Sequence, residues 1–339
     1  MNDRLKHLVD QIDELDRQYY LLLIIIALVV IALTSIAILG LAWYAFYTKK
    51  RHEFAGKTCC VVGAAKGIGR GVALTLARKG AAKLVLVDMA SCDETKEECV
   101  KAGCPDVVLV QCDVSDRAQL SAKFDDVLKP SDFVSLVVDC AGVVAGKRFD
   151  DLAFEEFERV IKVNLIANYA LLKRFLPAML DKRAGCFVGI SSLMGLMGGA
   201  RLSDYCASKF GLVGLFEALR MEFGQSHPNV SFVTVCPYAV DTGMFEGIFE
   251  ATFWTRMIRK IFPLLKTMDV AESVVLAAER GTTVAVLPFL FGPLINIVRC
   301  LPSPLYEFVL TLMGGREGMN QFHGKSPIWA PQQGDNKVE

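Results

Sequence analysis

The hydropathy pattern divides the chain into an apolar block, a long alternating stretch and a polar end. From Tyr20 to Phe46 runs an almost unbroken apolar segment without a charged residue, about 27 residues long. A helix of roughly 20 apolar residues crosses a hydrocarbon core about 30 Å thick, so residues 19–47 are expected to form one tilted transmembrane helix. Tyr19, Tyr20, Trp43, Tyr44 and Tyr47 stand at its two ends, as interfacial aromatics do. Lys49-Lys50-Arg51 follow at once, whereas Arg4, Lys6 and Arg17 on the other side are mixed with Asp10, Asp13, Glu14 and Asp16. This clustering of positive charge places the larger, C-terminal part in the cytosol. The acidic start and the length of the run argue against a cleaved signal peptide. Within residues 1–18, Leu5, Leu8, Val9, Ile12 and Leu15 recur at helical spacing, which predicts an amphipathic helix or a plain extension of the span.

From residue 56 to 287, short apolar runs alternate with segments of helical period. Strands are expected at 58–62, 83–88, 107–111, 133–138, 186–190, 230–235 and 283–287. Long helices are expected at 154–180 and 204–223. Such alternation predicts an α/β domain, a Rossmann-like doubly wound parallel sheet of about seven strands with right-handed crossovers. In such a sheet ligands sit at the carboxyl ends of the strands. Residues 245–262 are rich in Phe, Ile and Met and carry Trp254 with Arg256, Arg259 and Lys260, the composition of an amphipathic surface helix. Residues 288–313 are apolar but broken by Pro288, Pro293, Pro302 and Pro304, which suits a core or membrane-associated segment better than a span. The end, 314–339, is polar and expected to be mobile.

Composition narrows the picture. Hydrophobic residues make up 53%, high for a purely soluble chain, and 37 basic residues balance 37 acidic ones, so no nucleic-acid footprint is expected. The 11 cysteines are odd in number, and Cys59, Cys60, Cys112, Cys186 and Cys236 fall in apolar runs, which predicts buried reduced thiols. The four histidines are scattered, no Cys/His set has ligand spacing, and no metal is expected.

Three clusters carry candidate chemistry. Gly63-Ala64-Ala65-Lys66-Gly67-Ile68-Gly69 follows the first strand and leads into a helix. Glycines there let the main chain approach a pyrophosphate, and the helix N-terminus supplies free N–H groups and a favourable dipole. Asp88 ends the second strand, where an acid accepts hydrogen bonds from the adenosine ribose and repels a 2′-phosphate. Lys66 pulls the other way, toward NADP. The short-range carboxylate carries more weight, so NAD is expected, with NADP as the alternative. Finally, Tyr205 and Lys209 lie four residues apart, one helical turn, so the ammonium is expected to draw the phenol pKa down from near 10.

With Tyr205-Cys206-Ala207-Ser208-Lys209, Ser192 thirteen residues upstream, Asn164 before that and the GxxxGxG turn, residues 56–283 resemble a short-chain dehydrogenase/reductase. Within it, the run 236–247 and the two apolar ends are similar to the membrane-bound branch of epidermal retinol dehydrogenases and lipid-droplet 17-beta-hydroxysteroid dehydrogenases. The resemblance implies a catalytic group of Asn164, Ser192, Tyr205 and Lys209. It implies cofactor contacts from Gly63, Lys66, Gly67, Ile68, Gly69, Asp88, Asp113, Ala141, Gly142, Tyr205, Lys209, Pro237, Val240 and Thr242, and a substrate lid at 245–262. Asn164 would stabilise a bend in its helix and hold a water that links Lys209 to solvent. Three positions depart from the family: Val62 replaces a turn threonine, Asp139-Cys140 replaces Asn-Asn before Ala141-Gly142, and Tyr238 replaces the glycine after Pro237. The last substitution is expected to narrow the nicotinamide pocket.

Three functions follow. The first is an NAD(P)-dependent oxidoreductase interconverting hydroxyl and carbonyl on a retinoid, steroid or long-chain lipid. The second is an NADPH-dependent 3-keto-lipid reductase, and the third a non-catalytic cofactor-binding scaffold. The partners expected are a lipophilic substrate and a membrane, with a homodimer left open. The implied location is the endoplasmic reticulum membrane, single-pass, with the lipid droplet as alternative.

Overall fold

A computed structural model describes residues 51–129, 132–248, 250 and 252–322, together with positions 26, 29–31, 34, 35, 38 and 40. The chain divides into two compact units, Met1–Lys49 and Lys50–Glu339. In the first, the described positions are helical and exposed, and the Thr34 and Ser35 hydroxyls donate back to Val30 O (2.9 Å) and Ile31 O (2.7 Å). Most of the expected 19–47 span, and all of residues 1–18, lie outside the described residues. Among the described residues, no helix is long and apolar enough to cross a membrane.

The second unit is built on one seven-stranded sheet, β1 (Thr58–Val62), β2 (Lys83–Asp88), β3 (Asp106–Gln111), β4 (Val134–Asp139), β5 (Gly185–Ile190), β6 (Val230–Pro237) and β7 (Val284–Leu287). Strand order is β3-β2-β1-β4-β5-β6-β7 with every pair parallel. The order reverses between β1 and β4, and that crevice is where a doubly wound sheet receives its ligand. Burial on both faces explains why β5 and β6 read as continuous apolar runs. One face packs Val61, Leu84, Leu136 and Val235 under helices α1 (Gly67–Arg78), α2 (Asp93–Lys101) and α8 (Thr267–Arg280). The other packs Val62, Val137, Phe187 and Phe232 under α3 (Arg117–Val127), α4 (Phe154–Ile161), α5 (Ala167–Asp181) and α6 (Ser203–Phe223). The expected helix 154–180 is interrupted by a π-helical turn, Lys162–Ile166, which carries Asn164.

Beyond the sheet, α7 (Phe253–Ile261) is capped by Thr252, whose hydroxyl accepts from Thr255 N at 3.2 Å. Residues 288–313 form α9 (Phe291–Arg299) and α10 (Ser303–Leu312), too short to span. The expectation of a mobile tail from 314 is corrected for residues 314–322. Gly314, Gly318 and Met319 are buried, and Ala200 N donates to Gly315 O at 2.9 Å. Met319 and Phe322 are apolar anchors within an otherwise polar run, and they hold it against the domain.

Candidate active site

At the carboxyl edge of the sheet the backbone makes a cradle. Gly63 has φ +74°, and a Cβ there would stand 2.8 Å from Ala141 N, so only glycine lets the β1 and β4 turns approach this closely. A Cβ on Gly69 would meet the Gly63 carbonyl. Lys66 precedes α1 without a side-chain cap, which leaves the first N–H groups of the helix for an anion. Asp88 Oδ2 accepts from Ala65 N (3.0 Å) and Oδ1 from Ala90 N (2.9 Å), fixing the carboxylate at the rim. Asp113 is bound by Ser115 N (2.9 Å) and Arg159 (2.8 Å); these contacts hold its carboxyl below the usual range although burial opposes them. The nearby Arg70 is committed to Glu94 (2.9 Å) and Glu98 (2.5 Å).

A cavity of about 920 Å³ runs from this cradle to α7, α9 and α10. Every residue expected to contact the dinucleotide lines it, from Gly63 to Thr242, as do Ser192, Tyr205 and Lys209. Asn164 does not line it. It sits fully buried behind, where Oδ1 accepts from Val143 N (2.8 Å) and Nδ2 donates to Val143 O (2.9 Å) and Ser208 Oγ (3.0 Å). Ser208 in turn donates to Tyr205 O at 2.7 Å, so Asn164 ties α6 to the turn after β4.

Tyr205 and Ser192 both line the cavity, and the Ser192 hydroxyl is near enough to the phenol to favour its phenolate. Ser192 Oγ also accepts from Met194 N at 3.1 Å, which leaves its own proton for the phenol or a ligand oxygen. Lys209 Nζ donates to Ile190 O at 2.8 Å and stands 5.5 Å from the centre of the Tyr205 ring. A Cβ on Gly142 would lie 3.5 Å from Lys209 Nζ and 3.6 Å from Asn164 Oδ1, so both groups face its bare Cα.

The expected downward pull on the phenol is not the net result. Burial pushes Tyr205 up, outweighing the nearby Ser192 hydroxyl, which favours the phenolate. Burial also draws the Lys209 ammonium down, and the principal group restoring it is Asp139. Asp139 is buried at the end of β4, beside Gly189 across the ladder; Oδ1 accepts from Ala141 N at 3.0 Å and Oδ2 has no partner. Burial raises its carboxyl.

Sequence reasoning missed three contributors. Arg159, which closes the Asp113 corner, sits on a helix with no motif around it. Asp139 was legible only as a departure from a family pattern. The wall from 310 to 319 straddles a segment read as core or membrane-associated and one read as a polar tail, where Met313 and Met319 were the available signal. Tyr238 leans on Phe291, ring centres 5.6 Å apart, and lines the apolar wall.

The residues of the cradle fit a dinucleotide: bare glycines against the turn, helix N–H groups at its floor and an acid at its rim. Proteins built this way move a hydride between a nicotinamide and a hydroxyl-bearing carbon. The family model described as short chain dehydrogenase matches residues 57–252. Epidermal retinol dehydrogenase 2 of Homo sapiens is 33% identical over 282 residues, 82% of this chain and 89% of that protein. Its Mus musculus counterpart is 39% identical over 203 residues, covering 59% of this chain and 65% of the mouse protein's length. Among solved structures, 3-oxoacyl-[acyl-carrier protein] reductase from Brucella melitensis superposes with a TM-score of 0.61 at 25% identity, covering 69% of this chain and 91% of that one. The chain belongs to the short-chain dehydrogenase family, an NAD(P)-dependent oxidoreductase acting on hydroxyl groups, with relatives in its retinol dehydrogenase branch.

Proposed function

We propose that the protein interconverts a hydroxyl and a carbonyl on a lipophilic substrate, a retinoid, steroid or long-chain alcohol, with NAD as the favoured cofactor. The observation that carries this reading is that Ser192, Tyr205 and Lys209 line one end of a cavity whose far wall is largely apolar. A nicotinamide bound in the cradle supplies or accepts the hydride. Tyr205 then exchanges a proton with the substrate oxygen, and Ser192 holds that oxygen in line. Lys209 would bond the nicotinamide ribose and keep positive charge near the phenol, while Asn164 fixes the backbone beneath them; its amide is engaged by Val143 and Ser208, so the water link expected of it has no support here. Gly63, Gly67 and Gly69 would admit the pyrophosphate, Asp88 would hold the adenosine ribose and Asp113 the adenine; Ala141, Gly142, Pro237, Val240 and Thr242 would hold the nicotinamide half.

Membrane residence is part of the same reading. Its support is the 19–47 run together with exposed apolar side chains beside the cavity: Phe253, Leu290, Ile297 and Phe308. Contact of that face with a bilayer would let a water-insoluble alcohol enter without crossing water. A single-pass protein of the endoplasmic reticulum membrane with a cytosolic domain accords with this, and a lipid-droplet surface would serve the same entry.

A second reading, reduction of a 3-keto lipid with NADPH, is favoured by exposed Lys66 at the cleft. The experiment is a screen of the purified protein with retinol, steroids and long-chain alcohols or ketones, each with both cofactors. NAD-linked oxidation of one lipophilic alcohol is expected. Strong selectivity for NADPH with a 3-keto lipid would replace the first reading by the second, and hydride transfer to none would leave a scaffold.

A further inference from the structure

The family match ends at residue 252, yet the cavity does not. Its far wall is supplied by residues 310–319, from the end of α10 into the turn that follows. This strap is fastened on both sides of the cleft. The Trp254 indole Nε1 on α7 donates to Leu312 O at 2.7 Å, and opposite it Ala200 N donates to Gly315 O at 2.9 Å. Arg201 Nε adds a bond to Asn320 Oδ1 at 3.2 Å. Beyond the strap, the Phe322 ring lies 6.3 Å from Phe245 and occupies the space that a side chain on Gly146 would take. Met319, 5% exposed, packs in one cluster with Tyr205, Val144 and Ile248.

This wall is mostly apolar, with Glu246 and Tyr238 as polar side chains on the adjoining lining. Met244, Met257, Met313 and Met319 face the cavity with Leu310 and Ile248. The Trp254 N–H is spent on a backbone carbonyl. Methionine is unbranched and polarisable and moulds itself to flexible hydrocarbon. Against these side chains a second polar group on a ligand would lose its water without gaining a hydrogen bond, which disfavours it there.

Resting on the oxidoreductase reading, we propose that the strap, residues 310–319, determines specificity. It sets the length of the cavity beyond Tyr205, and it selects slender alcohols with one polar end and a long unsubstituted hydrocarbon tail. Met319 is the side chain that meets the tail nearest the reacting end, and the Trp254–Leu312 clasp holds the wall in place.

The test is equilibrium binding of straight-chain primary alcohols, from hexanol to hexadecanol, to the full-length protein loaded with NADH, followed by calorimetry. Affinity should rise steadily with chain length. Met319→Trp should weaken the longest members at least tenfold and flatten the series, while NADH affinity stays within about twofold. Trp254→Phe keeps the ring and removes only the clasp; it should shift preference from straight-chain toward ring-bearing alcohols. A profile unchanged in both variants, or affinity independent of length in the wild type, overturns the proposal. Steady-state oxidation of the same alcohols separates the two layers. Length-dependent binding without turnover by either cofactor would sustain the strap and defeat the oxidoreductase reading. Turnover with no dependence on length would do the reverse.

Discussion

Burial sets the ionisation of the groups around Tyr205. A phenol raised by desolvation stays protonated in the protein alone, and an ammonium lowered by it depends on whatever negative charge lies near. Asp139 supplies that charge, so Asp139→Asn should let the Lys209 ammonium titrate at lower pH. The alkaline limb of the kcat/KM profile should then move toward neutral, and an unmoved limb would remove Asp139 from the account. Lys209→Met should damage both NAD affinity and turnover, because the amine would serve ribose and phenol together; equilibrium binding and kcat measured side by side check it. For cofactor choice, Asp88→Ala should move the kcat/KM ratio toward NADP by tenfold or more, about 1.4 kcal/mol per tenfold. A wild-type enzyme that strongly prefers NADPH would show that Lys66 outweighs Asp88. The spacing of Tyr205 and Lys209 was readable because one helical turn fixes it locally. The orphaned Asp139 oxygen was not, since its burial arises only when β4 is flanked by β1 and β5.

Strands and helices were legible wherever local period and burial agree, as in β5, β6 and α6. The first two strands have the expected bounds; β3, β5 and β6 run one or two residues longer through ladder pairing, β4 is shifted by one residue and β7 begins one residue later. The π-helical turn at Lys162–Ile166 left no periodic signal, because it shifts the helix by a single residue. The strap escaped because it straddles the boundary between a proline-broken apolar segment and a polar run, and its few apolar side chains matter only once they pack against the domain. At the opposite edge of the sheet, the segment entering β1 is clamped: His52 Nε2 and Ser231 Oγ are 2.7 Å apart, and Arg51 N and His52 N both donate to Glu279 O (2.7 and 2.9 Å). Burial, with Arg51 nearby, depresses His52 from 6.5 to about 4. The unfolded chain therefore binds a proton between those values that the folded chain refuses. Stability is full above pH 6.5 and falls as pH drops toward 4, by roughly 3 kcal/mol at most. His52→Gln should flatten that part of the Tm-against-pH curve, and an unchanged slope would assign the acid sensitivity elsewhere.

Taken together, the molecule carries a polar cradle at one end of its cavity and an apolar wall at the other, with exposed apolar side chains flanking that wall. Deleting residues 1–49, which form a separate compact unit, should leave a folded, cofactor-binding domain. That domain should still float in part with liposomes, since burying apolar surface gains roughly 25 cal/mol per Å². Phe253→Ser with Leu290→Ser should release it further, and full solubility without detergent would leave the N-terminal segment as sole anchor. The reaction itself is tested by Tyr205→Phe, which removes one oxygen and nothing else. Stopped-flow formation of NADH from a long-chain alcohol that the wild type oxidises should fall by about 10²–10⁴-fold or more. NADH affinity, titrated on the same preparation, should stay within a few-fold. A phenylalanine variant that forms NADH at the wild-type rate would show that the proton leaves the alcohol by another route.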